Sequence, residues 1–203
     1  MSSPTVSATR NQYILLVLIA GCLIGVIGFG PRSALGLFLT PISVANGWGR
    51  DVFALALAIQ ILLWGAAQPL AGALADRYGT VRVLAWGALL YTLGLTLMAY
   101  STTPLTFMLT AGVLSGFGIA ATSFTLVLAA FGKLLPQEWR TLSFGVGTAA
   151  GSFGQFLFSP IAVGLIDGFG WQHALIGFGL IVLLIAPLSL AVATPPAATT
   201  PAL

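Results

Sequence analysis

The sequence predicts an all-α polytopic membrane protein with six transmembrane helices, and three observations carry that reading. Of 203 residues, 58% are hydrophobic and 5% charged, against about 25% charged in soluble globular domains. So little polar surface cannot clothe a water-facing exterior, and the surrounding solvent must be largely lipid. The apolar residues fall into six runs of about 20 residues, the length a helix needs to cross a hydrocarbon core. Short segments with turn and capping chemistry separate the runs, which are too long and continuous for the alternation of a β-barrel.

In chain order, residues 1–12 read as a cytoplasmic amino-terminal tail, and the first run covers residues 13–40. The turn ANGWGRD (Ala45–Asp51) leads into the second run, 53–75. A tight charged turn precedes the third, 82–100, and Ser101–Pro104 then offers Thr103 as a cap with Pro104 at the first helical position of run four, 105–132. Lys133–Arg140 places Pro136 and Glu138 at the start of the next helix, whose apolar run is 141–166. The glycine turn Asp167–Trp171 ends in an interfacial tryptophan before the last run, 172–193. Residues 13–193 thus form one bundle, and 194–203, small, uncharged and proline-rich, read as a disordered tail or the start of a linker.

Six spans put both termini on one side. Arg10, Arg77, Arg82, Lys133 and Arg140, five of the seven basic residues, fall there, while the other side receives Arg50 with Asp51 and Asp167. The positive-inside rule then makes both termini cytoplasmic, in a plasma or bacterial inner membrane. The basic residues are too scattered for a nucleic-acid footprint. His173 stands alone at a turn and Cys22 has no basic neighbour, so neither a catalytic nor a metal site is expected, and no cofactor.

The turn GALADRYGTVR (Gly72–Arg82) concentrates charge in a chain that has little. Asp76 lies near a helix C-terminus and Arg82 near the next N-terminus, both at the unfavourable ends of their helix dipoles. Each therefore calls for a partner, Asp76 with Arg82 or with Arg140. Two readings stay open: a latch that closes and breaks as helices move, or ordinary interfacial charges of little energetic weight. Gly72 permits another backbone to approach, and Gly79 suits a position just past a helix end.

Arg32 sits inside the first run, where a charge is costly unless it faces a cavity or a counter-charge. No acid lies within the runs away from their ends, so a bound anion would supply that charge, and guanidinium geometry suits a carboxylate. The preceding GFGP (Gly28–Pro31) is expected to loosen or kink the helix, as where spans line a site. The alternative ends the span at Gly30 and lets Arg32 snorkel to the interface. Gln60, Gln68, Thr122, Ser123, Thr125 and Gln155 supply neutral polar groups for a pocket or, for most of them, for bonds between helices. Gly112 with Gly116, and Gly147 with Gly151 and Gly154, mark faces of close helix contact.

Gly72, Asp76, Arg77, Gly79 and Arg82 together resemble the signature loop of the major facilitator superfamily. That resemblance implies a loop on the cytoplasmic side that helps gate a transporter, and the amino-terminal six-helix half of a twelve-helix fold. PRSALGLFLTPI (Pro31–Ile42) and NGWGRD (Asn46–Asp51) resemble the monocarboxylate and oxalate/formate exchanger branch, and GFGWQHA (Gly168–Ala174) resembles a superfamily turn with Gln172 in place of arginine. Gly112 stands where helix four of the family often carries arginine, which removes one expected partner of Asp76. GSFGQFLFSP (Gly151–Pro160) lacks the pattern of drug/proton exchangers. Family helices one and four line the central cavity, which favours Arg32, Thr122 and Thr125 as substrate contacts, with Gln155 beside them. The expected function is transport of a small organic anion by alternating access, with a second six-helix half or a homodimer as partner. The competing expectation is a non-transporting membrane adaptor or transporter remnant.

Overall fold

The computed structural model describes the backbone of residues 4–194 and side chains from Asn11 onward. The ends of both predicted tails, residues 1–3 and 195–203, lie outside the described residues, as does the side chain of Arg10. Six helices are long and apolar enough to cross a membrane: α1 (Asn11–Asn46), α2 (Arg50–Tyr78), α3 (Thr80–Met98), α4 (Pro104–Leu134), α5 (Gln137–Phe169) and α6 (Trp171–Val192). Helical backbone begins at Pro4, so part of the segment read as a tail continues α1.

The helix ends follow local chemistry. Thr103 accepts from the Thr106 amide in a reciprocal capping box with Pro104 as the first helical residue. Pro136 precedes α5, and Glu138 sits in its first turn, where the dipole favours an acid. Gly47, Gly79 and Gly170 close α1, α2 and α5 with φ of 66°, 90° and 82°, conformations that only glycine adopts cheaply.

Packing sets two helices apart. In α1 and α4 about half of the most apolar window is buried (50% and 56%), against 22% in both α2 and α5. Each central helix has a close companion: α1 lies along α5, and α4 along α2. Behind them α3 packs against α4 and α6. Glycine permits the tight crossings, since a Cβ on Gly154 of α5 would lie 2.7 Å from Val26 Cα of α1, and one on Gly118 of α4 2.6 Å from Tyr91 Cα of α3. The result leaves long sides of α2 and α5 exposed on one six-helix unit.

Neither central helix is regular. α1 stays α-helical through Gly28–Pro31 and tightens into a 3₁₀ turn at Leu35–Phe38, one turn beyond the glycine–proline pattern. α4 widens into a π-helical stretch at Met108–Leu114. It then breaks at Thr122–Ser123, where Ser123 is extended at φ −62° and ψ 143°, before a fresh helix at Phe124–Leu134. The sequence reading had run four uninterrupted.

Candidate functional site

The break in α4 lies where two neighbours come close. Gly28 of α1 faces the Thr122 carbonyl, 3.3 Å from where its Cβ would be, and Gly87 of α3 is similarly tight against Ala121 and Thr122. Any larger residue at either position would press on the irregular backbone. The break gives Phe124–Leu134 its own N-terminus without a side-chain cap from Ser123, so first-turn N–H groups there lack helical partners. A small cleft opens beside it, lined by Gly25, Gly28, Phe29, Trp64, Thr122 and Ser123. Its volume of about 10 Å³ holds no more than one water-sized group.

Arg32 stands one turn past the midpoint of α1 and is only partly exposed. Helical backbone continues past Gly30 to Asn46, so the helix itself does not end just before Arg32. The guanidinium carbon lies 4.3 Å from the centre of the Trp64 ring on α2, a cation–π contact, and Phe29 meets the same indole edge-on at 6.4 Å. Among the described residues, the buried side-chain polar atoms without a hydrogen-bond partner are Arg32 Nε, Trp64 Nε1 and the Tyr91 hydroxyl. Of these, Arg32 and Trp64 are in direct contact through the cation–π stack. Unpaired buried donors are rare because each costs about 1–3 kcal/mol. The Arg32–Trp64 pair thus holds two N–H donors with no acceptor.

The other predicted contacts separate. Thr122 is buried at the cleft, but its hydroxyl already donates to the Gly118 carbonyl at 2.9 Å. Thr125 and Gln155 are exposed and do not line the cleft. Gln60 works between helices, donating to the Ala111 carbonyl at 2.8 Å across the π-helical stretch of α4. Trp64 and Tyr91 were not singled out from the sequence, where aromatics in apolar runs read as filler. Their signal is an N–H or O–H that burial must pair, which becomes visible only once neighbours are known.

At the charged turn, Asp76 Oδ1 meets Lys133 Nζ at 2.7 Å, bridging the end of α2 to the end of α4. This corrects the expected pairing with Arg82 or Arg140. Arg140 instead donates through Nε to the Leu135 carbonyl at 3.2 Å, and Arg77 lies 5.3 Å from the Tyr78 ring centre. Both partners are about half exposed, at 61% for Asp76 and 49% for Lys133, so the bridge adds roughly 0–1 kcal/mol. Gly72 has nothing within 4 Å of a would-be Cβ, so among the described residues no backbone makes the approach expected there.

This arrangement, six apolar helices with irregular central spans and a charged α2–α3 turn, belongs to a known class of membrane carriers. The Major Facilitator Superfamily profile matches residues 14–202, and the chain belongs to that superfamily. It corresponds to the amino-terminal six-helix half of the fold, in the monocarboxylate branch. Human monocarboxylate transporter 11 is 33% identical over 136 residues, covering 67% of this chain and 28% of that protein. The mouse protein of the same name is 31% identical over 167 residues, 79% of this chain and 36% of the relative. Among solved structures, the POT family transporter PepTSo superposes with a TM-score of 0.72 at 20% identity, over 94% of this chain and 40% of that one. Inward-open XylE, the xylose transporter from E. coli, gives 0.63 at 17% identity, covering 92% and 48%. The chain thus spans about a third of its curated relatives and less than half of these structures. It is a multi-pass membrane protein of a transporter family, not an enzyme family.

Proposed function

We propose that this chain forms one half of a carrier that moves a small organic anion, of monocarboxylate or oxalate/formate type, by alternating access. The observation that carries the reading is the buried, unpaired Nε of Arg32, held over Trp64 near the middle of α1. A carboxylate placed there would accept from the guanidinium and offer the neighbouring indole N–H an acceptor. The uncapped start of the second α4 segment shares a cleft with Trp64 and adds partial positive charge there. No bond is made or broken. The substrate would exchange its hydration shell for these donors and leave when the site faces the opposite compartment.

The cleft in one six-helix unit is too small for lactate. The substrate chamber therefore needs a second wall, supplied by a second six-helix half or by another copy of this chain. The exposed sides of α2 and α5 are the surfaces that would meet it, and Thr125 and Gln155 would then face the chamber between the halves. Gly72, Asp76, Arg77, Gly79 and Arg82 would gate the cytoplasmic end, the Asp76–Lys133 bridge being the contact that opens and closes. The bias of basic residues supports cytoplasmic termini.

The same small cleft favours a second reading, a membrane adaptor or remnant without transport. Uptake of labelled lactate, oxalate and formate into proteoliposomes separates the two, with the chain alone and paired with a carboxyl-terminal six-helix half. The carrier reading expects saturable uptake that Arg32→Gln lowers by about 10- to 100-fold, the worth of a charged hydrogen bond, while the protein stays folded. Absence of uptake in every pairing defeats it.

A further inference from the structure

Two apolar grooves flank a single ridge on α3. One, about 340 Å³, runs between α2 and α3 and is lined by Leu74, Tyr78, Arg82, Trp86 and Leu90 among others. The second, about 300 Å³, lies on the opposite side of the ridge, against Val81, Ala85 and Leu89. Arg82 and Trp86 line both. Four residues apart, they stack on one helix face and form the wall between the grooves. Trp86 is 66% exposed, among the most exposed large apolar side chains of the chain.

Charge at the head of this ridge is unbalanced. Arg82 is exposed and makes no ion pair among the described residues, since Asp76 is engaged by Lys133. It also occupies the first turn of α3, where the helix dipole already favours an anion. Arg77, over Tyr78 at the rim, adds a second cation. One cationic head with two apolar channels running from it has the shape of a two-chained amphiphile in negative. Trp86, one turn from Arg82 toward the bilayer, has the indole character favoured at headgroup depth. A helix of another protein seated here would have to bring its own counter-charge for Arg82.

We propose that the α2–α3 groove pair binds one anionic diacyl phospholipid, with its phosphate on Arg82 and an acyl chain on either side of Trp86. The assignment does not depend on the transported solute. It is tested with the full chain in phosphatidylcholine bilayers, by quenching of tryptophan fluorescence with dibrominated phosphatidylglycerol or dibrominated phosphatidylcholine. The Trp86 signal is the difference between the wild type and Trp86→Phe. Phosphatidylglycerol is expected to quench it at a mole fraction about fivefold lower, the worth of one basic side chain at an anionic surface. Arg82→Lys should keep that preference, and Arg82→Gln should abolish it while quenching of the remaining tryptophans is unchanged. Equal quenching by the two lipids in the wild type overturns the proposal, whatever the variants do. So does a preference that survives in Arg82→Gln, or one that soluble glycerol phosphate erases, since the ligand would then be a free anion. A Trp86 that neither lipid quenches is covered by protein, which also overturns it.

Discussion

Two cationic side chains in this molecule live under opposite terms. Lys133 is half exposed and paired with Asp76 at 2.7 Å, whereas Arg32 is only partly exposed, near the middle of α1, with a buried, unpaired Nε. Water screens the first pair, so forming or breaking it shifts the free energy by roughly 0–1 kcal/mol. The second has one N–H shut away from solvent without an acceptor, and its attraction to the Trp64 face offsets part of that cost. A surface contact this cheap can change with conformation. The stranded Nε is the group that the proposed anion would satisfy.

Substitutions at both places sharpen the contrast. Arg32→Met should produce the largest change, with anion binding lost and resistance to thermal unfolding raised, because about 1–3 kcal/mol of unsatisfied burial disappears. Melting of the purified protein by circular dichroism reads the gain, and a lower melting temperature would mean that Arg32 serves the fold. Trp64→Leu should weaken anion affinity by about 3- to 30-fold through loss of a partly desolvated cation–π contact, seen in the substrate concentration dependence of uptake. Tyr91→Phe deletes an unpaired buried hydroxyl and should stabilise the fold by about 1 kcal/mol; destabilisation would reveal a partner for that oxygen. Asp76→Asn should have the smallest effect on unfolding, below about 1 kcal/mol, and a change in the inward–outward balance would appear as altered labelling of Lys133 by an amine reagent.

How far the sequence could be read depended on the range of the interactions involved. Thr103 with Pro104, Pro136 with Glu138, and the glycine before Trp171 act over a few residues, and each marks its helix start where predicted. The interruption at Thr122–Ser123 carries neither glycine nor proline. It rests on close approach of Gly28 and Gly87, both distant in sequence. The partner of Asp76 is equally non-local: Lys133 and Arg140 are equivalent on paper, and only the packing of α2 along α4 chooses between them. Arg32 was conspicuous because charge in an apolar run is conspicuous. Trp64 and Tyr91 were hidden because an aromatic there looks ordinary until its polar atom is seen to be stranded.

The interruption in α4 has a mechanical corollary. Beyond Ser123 the helix is a separate rod of 11 residues, with Phe124 beside the cleft and Lys133 near the far tip. At 1.5 Å per residue it is about 16 Å long, so pivoting it by about 10° swings the tip through about 3 Å.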